Sequence, residues 1–318
     1  MQLCHIAQQI VSTCGTQNVI FRAGIWKPRT SPDTFQGVGD VGLAWLQQVK
    51  RLTGLPVATE ISTPEQVQKA LEAGIDYLWL GARTSANPIL VQALADAMAK
   101  GKHKGVLVKN PVNEDADLWM GNIQRLSANH QPVIAIHRGC NHQPCWEMAY
   151  RLRQTMPQIP LLLDPSHMSG KADLVSRRCR DAAELQYDGL MIEVHDNPKQ
   201  ALSDAKQQIT PDELKTIIRH WEKEQAANMQ PTDCQLLWLR QMMDEVDDAL
   251  WDTIARRMEV SRKIGAFKKE HNIDIVQPTR FEQILSNRLS WAEEKALSEE
   301  MVQQIMQALH KESIRVQQ

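Results

Sequence analysis

The chain carries no strong excess of charge: 36 lysines and arginines stand against 38 aspartates and glutamates, a net of -2. That balance removes any global pull toward nucleic acid or an anionic membrane surface, so neither is expected as a partner and anion binding must be local. Long hydrophobic runs are lacking too; the longest are of strand length, far short of the roughly 20 residues a membrane-crossing helix needs. No charged, apolar and small-residue leader opens the sequence, which speaks against secretion. The six cysteines, Cys4, Cys14, Cys140, Cys145, Cys179 and Cys234, have neither zinc-ribbon spacing nor the density of a disulfide scaffold. A reduced, cytoplasmic protein is expected.

What is present is length for two domains, 318 residues, and a regular alternation over the first two thirds. Residues 1–14 have Leu3, Ile6, Ala7 and Ile10 at helical spacing. Apolar runs follow at Val19–Trp26, Leu55–Ile61, Tyr77–Ala82, Gly105–Lys109, Pro132–Arg138, Ile159–Asp164 and Gly189–Val194. The amphipathic segments between them carry helix entries such as Thr63-Pro64-Glu65. Near-continuous apolar strands separated by helices mean a parallel sheet covered on both faces. The expected fold class is α/β: a (β/α)8-type barrel over residues 1–220 that lacks its first strand, the eighth strand being expected ahead of residue 1.

Nearly every run ends in a polar or charged group: Glu60, Gly81-Ala82-Arg83-Thr84, Lys109-Asn110, His137-Arg138-Gly139, Asp164-Pro165-Ser166-His167 and Glu193-Val194-His195. The carboxyl ends of parallel barrel strands meet at one mouth, where active sites are built. Arg22, Lys27, Arg29 and Thr30 crowd the end of the first run, before Ser31-Pro32 breaks regular structure. With Arg83, Lys109 and Arg138 they form a cationic set suited to small, multiply anionic ligands. Few carboxylates share those strand ends, so the cations are expected to lack internal partners. His167, Glu193 and Asp204 supply an imidazole and two carboxylates from separate elements, a set that suits a divalent metal such as Mn or Fe. The competing readings are a hydrogen-bonded core histidine and a helix-terminal aspartate.

Residues 221–235 read as a linker, and from 236 to 318 the pattern is all-α with three helices. Leu236, Leu239, Met243, Val246, Leu250 and Ile254 have near-heptad spacing, with no proline until Pro278. A helix of about 35–40 residues would reach about 55 Å, too long for a small domain alone, so a partner subunit is expected against it. Two shorter helices are expected at Thr279–Glu293 and Ser298–Val316. Arg240 and Arg257 share a face but stand about 25 Å apart along one helix, so only a second, antiparallel helix could bring both to one ligand. A solvated basic face is the alternative.

The strand-end motifs, with Lys27-Pro28-Arg29-Thr30 and Ala201-Leu202-Ser203-Asp204, closely resemble the 3-deoxy-D-arabino-heptulosonate 7-phosphate (DAHP) synthase family, compact barrel subtype, over about residues 5–218. The related octulosonate 8-phosphate synthases carry Ala-Asn where this chain has Pro28, which favours erythrose 4-phosphate as acceptor. The resemblance implies that Arg83, Lys109 and Arg138 hold phosphoenolpyruvate, with Arg22 and Lys27 near the reacting centre. It gives Arg29 and Thr30 the sugar phosphate, and His167, Glu193 and Asp204 the metal. The family's first strand ends in Gly-Pro-Cys-Ser, whose cysteine is a fourth metal ligand; this chain starts after it. Weak or no synthase turnover of this chain is therefore expected, and the alternative to two working activities is an inactive barrel with a helical domain that serves as a mutase or as a dimerising prephenate or chorismate sensor.

Residues 236–318, with Arg240, Asp247, Arg257, Gly265, Lys268, Arg280, Ser313 and Gln317 in order, resemble the all-helical class of chorismate mutase. The implied site is dimeric, a homodimer through the helical domain. Arg240 and Arg257 would clamp the carboxylates of chorismate, Lys268 and Gln317 would bond its ether oxygen, Arg280 would face the ligand, and no cofactor is needed. Gln277 and Phe281 depart from the acidic residues seen in members of that class. Together the two resemblances imply a bifunctional shikimate-pathway enzyme, a transferase and an isomerase in one chain.

Overall fold

Helix α1 (Gln2–Cys14) buries Cys4, Ile6 and Ala7, the face its apolar spacing predicts. After it come β1 (Phe21–Arg22), α2 (Val41–Thr53), β2 (Val57–Ile61), α3 (Pro64–Glu72), β3 (Tyr77–Leu80), α4 (Ala82–Ser85) and α5 (Pro88–Met98). The alternation continues through β4 (Gly105–Lys109), α6 (Ala116–Ser127), β5 (Val133–His137), α7 (Trp146–Thr155), β6 (Leu161–Leu163), α8 (Pro165–Ser169), α9 (Ala172–Glu184), β7 (Gly189–Leu190) and α10 (Pro211–Gln225). Three helices end the chain: α11 (Pro231–Glu270), α12 (Pro278–Glu294) and α13 (Glu299–Gln317). This computed structural model describes residues 2–29, 31, 33–128, 132–225 and 231–318. Thr30 and residues 226–230 of the expected linker lie outside the described residues. The chain divides into two compact units, Met1–Met242 and Met243–Gln318.

All seven strands are parallel and lie in sequence order, β1 to β7, in one sheet. That is a half-barrel whose edges are β1 and β7. Alternation along the strands sorts the side chains. Ala58, Trp79, Leu107, Ile136 and Met191 fill the concave side, while Val57, Ile61, Leu78, Leu80, Val106, Val108 and Ala135 pack under the helices. A fully buried valine or leucine of this kind contributes about 1.5–3 kcal/mol. Helix α1 packs against both α2 and α10, the helices next to the two edges. Its Gln2 Nε2 also donates to Asp196 Oδ1 beyond β7, at 2.9 Å.

Both edge strands are shorter than their apolar runs. After Arg22 the backbone leaves the ladder, with the Ile25 amide donating back to the Ala23 carbonyl at 3.1 Å. After Leu190 the Glu193 amide bonds to the Ser166 hydroxyl rather than to a strand, at 3.0 Å. The helix entry read at Thr63-Pro64-Glu65 is as expected: the Thr63 hydroxyl accepts from the Gln66 amide at 3.2 Å.

His137 closes β5 and is fully buried. It stacks on Tyr187 (ring centroids 6.2 Å) and Trp119 (6.1 Å), and its Nδ1 shares a hydrogen bond with the Tyr187 hydroxyl at 2.8 Å. Trp238 of α11 joins this cluster against Trp146, Tyr150 and Tyr187. Burial pushes the imidazole of His137 down to about 3. In the unfolded chain it titrates near the ordinary 6.5. Below that value the unfolded state gains a proton the native state refuses, so this group's effect is loss of stability as pH falls from 6.5 toward 3. About 2–3 kcal/mol is expected to disappear between pH 7 and pH 4.5. Urea unfolding at both values should show it, and His137→Gln should lose at least half of that difference. An unchanged pH dependence in the variant would refute the assignment.

In the second unit α12 and α13 pack against each other and bury Ala292. Ser261 of α11 meets Ser313 of α13 at 3.2 Å. At Gly265 the backbones come so close that an added methyl group would lie 2.7 Å from the Gln317 Cα. Along α11, Met243, Val246, Leu250, Trp251, Val260, Ile264 and Phe267 remain exposed.

Candidate functional site

The strand ends do converge. In register, Leu80 lies opposite Val108, and Lys109 opposite Ile136, so Arg83, Lys109 and Arg138 stand at or just beyond the ends of three adjacent strands. Asn110 locks two of these ends together: its side-chain oxygen accepts from the Arg138 amide at 2.7 Å, and its amide donates to the Gly139 carbonyl at 3.1 Å. From the far edge of the sheet, Arg22 reaches Glu193 at 3.5 Å with its guanidinium stacked over Trp79, 5.4 Å from the ring centroid.

The expectation that these cations lack internal partners is corrected. Lys27 Nζ donates to Ser203 Oγ at 2.6 Å and Asp204 Oδ2 at 2.8 Å, and Arg29 adds a 3.3 Å contact to the same carboxylate. Lys109 Nζ is 2.7 Å from Asp164 Oδ2, both nearly or fully buried. The partners come from the turn after β6 and the segments after β7, remote in sequence but neighbours around the rim. Arg138 keeps only the Gly139 carbonyl, at 3.3 Å, and forms no ion pair among the described residues. The site is thus a mesh of alternating charges. Burial would raise Asp204, but its hydrogen bond to Lys27 and the charges of Lys27 and Arg29 bring it down to about 2.

His167 and Glu193 face each other, Nε2 to Oε1 at 4.0 Å. The other imidazole nitrogen lies 2.9 Å from Asp164 Oδ2. One imidazole nitrogen and one carboxylate oxygen, with the ring oriented from behind, are two donors of the type that a divalent ion of intermediate hardness takes. Asp204 does not join them, because Lys27 and Arg29 hold it. Among the described residues no group of three His, Cys, Asp or Glu side chains is disposed to hold a metal ion. The expected trio is here a pair, since a lysine ammonium competes for the third carboxylate.

Two residues to which sequence reasoning gives no role sit inside the mesh. Asp164 is wholly buried between Lys109 and His167. Burial opposes its ionisation, but the charges of His167, Lys109 and Arg22 hold its carboxyl well below the usual range. Glu60 lies against Gly81, where an added methyl group would meet its Oε1 at 2.0 Å. Burial pushes its carboxyl up despite Lys109, Lys27, Arg22 and His167 nearby. Both are visible as strand ends, but which neighbours they face is not.

The cations of the helices behave differently. Arg257 donates to the Leu309 carbonyl at 3.2 Å and to the Ser313 hydroxyl, and burial draws its pKa down. Lys268 donates to the Ile275 carbonyl at 2.8 Å. Arg240 and Arg280 are exposed. None of these four forms an ion pair among the described residues. Gln317 Oε1 is buried without a hydrogen-bond partner among the described residues. Phe281 stacks on His310, ring centroids 3.9 Å apart. Along α11, Arg240 and Arg257 stand 17 positions apart, about 25 Å at helical rise, so one copy of that helix does not join them.

No helix among the described residues is long and apolar enough to cross a membrane. Comparison with known proteins bears on both parts of the chain. The family model for the DAHP synthetase I family matches residues 1–230, and that for chorismate mutase type II matches residues 239–318. A phospho-2-dehydro-3-deoxyheptonate aldolase of Thermotoga maritima is 29% identical over 214 residues, covering 64% of this chain and 61% of the relative. A 2-dehydro-3-deoxyphosphooctonate aldolase of a Synechococcus strain is 28% identical over 238 residues, 68% of this chain and 80% of the relative. The crystal structure of the Thermotoga maritima aldolase, a DAHP synthase, superposes with a TM-score of 0.62 at 26% identity, covering 70% of this chain and 64% of that one. The chain thus spans just under two thirds of the Thermotoga protein. DAHP synthases generally use a divalent metal. By its first 230 residues the chain belongs to the DAHP synthetase I family, and to these it joins a chorismate mutase type II segment.

Proposed function

We propose that the chain is a bifunctional shikimate-pathway enzyme, its half-barrel condensing phosphoenolpyruvate with erythrose 4-phosphate and its helical unit converting chorismate to prephenate. What supports the first activity is the convergence of Arg22, Lys27, Lys109 and Arg138 on one rim, with Arg138 in no ion pair among the described residues. Arg83, Lys109 and Arg138 take the phosphate and carboxylate of phosphoenolpyruvate, whose forked oxygens match guanidinium donors. Arg29 and Thr30 take the phosphate of the sugar. Carbon 3 of phosphoenolpyruvate attacks the aldehyde carbon, water adds at carbon 2, and inorganic phosphate leaves. Glu60, its pKa raised by burial, is suited to hold a proton beside the reacting carbons. A divalent ion, Mn or Fe, held by His167 and Glu193 would supply Lewis acidity toward the aldehyde oxygen.

The helical unit is proposed to work as a homodimer. Its support is the exposed apolar stripe on α11, too large for a solvated face, together with Arg240 and Arg257 standing too far apart on one helix. In the dimer Arg240 of one chain meets Arg257 of the partner subunit around one chorismate. The rearrangement needs no nucleophile, only a clamped conformer and donors for developing charge, which Lys268 and Gln317 provide.

Measuring phosphate release with phosphoenolpyruvate, Mn and either of two aldehydes tests the barrel. The four-carbon erythrose 4-phosphate should give kcat/KM at least about tenfold above five-carbon arabinose 5-phosphate. Equal rates would overturn the acceptor assignment. A second reading has a specific observation behind it, the capture of Asp204 by Lys27. On that reading the barrel is idle and the helical unit is a mutase or a ligand-sensing dimeriser. Mutase turnover without phosphate release from either aldehyde would decide for it.

A further inference from the structure

We infer that Asp164 is a positioning residue shared by the two halves of the barrel site, one carboxylate that fixes the Lys109 ammonium for the anionic substrate and the His167 imidazole for the metal. The inference rests on the proposed roles of Lys109 and His167. Its ground is geometric. Asp164 Oδ2 is 2.7 Å from Lys109 Nζ and 2.9 Å from His167 Nδ1, while Oδ1 accepts the His167 backbone amide at 3.0 Å. Its own amide donates to the His137 carbonyl at 2.7 Å, tying it to the end of β5. The side chain has no exposed surface, so water does not substitute for either partner.

An ionised carboxylate only accepts hydrogen bonds, so His167 donates from Nδ1, which makes Nε2 the nitrogen available to a metal. Nε2 is the nitrogen turned toward Glu193. The same carboxylate restrains the lysine stem, so Lys109 presents its remaining N–H groups in a fixed direction. Asparagine at 164 would keep the volume and the cap of α8, since asparagine caps as well as aspartate. It would set an NH2 group against either Lys109 or His167, both donors, and remove the charge that holds them.

The test uses two binding measurements without turnover. Free-Mn electron paramagnetic resonance reads metal affinity, and calorimetry reads phosphoenolpyruvate affinity with no metal present. Asp164→Asn should weaken Mn binding about 10- to 100-fold, the usual loss when an outer partner of a metal-ligating histidine is removed. It should also weaken phosphoenolpyruvate binding at least fivefold. Lys109→Arg and His167→Gln serve as comparisons, the second losing Mn alone. A variant that loses only one of the two, or neither, overturns the shared role. Should the variant not fold, 15N shifts of the histidines in the parent at pH 8, assigned with His167→Gln, decide instead. A proton on Nδ1 of His167 is expected, and a proton on Nε2 overturns the inference. A parent chain that binds neither Mn nor phosphoenolpyruvate overturns the underlying roles and this inference with them, an outcome distinct from equal binding by parent and variant.

Discussion

Lys109→Met is expected to cost about 3–5 kcal/mol of stability, and to abolish phosphoenolpyruvate binding in whatever protein still folds. The first part follows from burial. Lys109 and Asp164 are 6% and 0% exposed and 2.7 Å apart. Forming such a pair from solvated ions gains little, because both lose water. Breaking it is another matter: methionine fills the stem's volume but leaves a buried carboxylate facing only His167 and the more distant Arg22. Denaturant unfolding of parent and variant should show the difference in midpoint with the slope unchanged. A loss under 1 kcal/mol would mean that water or a side-chain shift relieves Asp164, against its complete burial. The binding loss is a separate measurement, made by calorimetry on the folded fraction.

Arg257→Ala is expected to lower chorismate-to-prephenate turnover about 10²- to 10³-fold, in line with deletion of one preorganised charge-stabilising donor. Arg257 is half-buried, its pKa drawn down by burial, and among the described residues its guanidinium donates to the Leu309 carbonyl and the Ser313 hydroxyl. No carboxylate among the described residues neutralises it. A cation partly out of water and without a counter-ion is a preformed place for an anion. Stability should change little, because the lost contacts are hydrogen bonds rather than an ion pair. An active parent silenced by the substitution supports a working mutase. A parent with negligible turnover that still binds prephenate, and stops doing so in Arg257→Ala, would point to a sensor instead.

Several features were settled by the residues alone, for reasons that are local. Alternating apolar runs and amphipathic segments give a parallel β/α unit wherever both faces of a strand must be covered, and the seven runs became seven strands. Thr63 before Pro64 fixes a helix start regardless of what surrounds it. A stretch at heptad spacing with no proline until Pro278 makes one long helix, and α11 runs 40 residues. The charged strand ends were legible too, because in a parallel barrel every strand delivers its carboxyl end to the same rim.

Only the tertiary structure decided which of those charges meet. Lys27 and Asp204 are 177 positions apart, and Lys109 and Asp164 are 55 apart. Sequence reasoning assigned Asp204 to a metal and left the lysines to the substrate; the fold placed them in hydrogen-bond contact. Asp164 looked like one more strand end until burial and two cations gave it a use. Charge is a property of the residue, whereas pairing depends on which strands lie side by side around the sheet and how far each loop leans across it, and no local pattern encodes that distance.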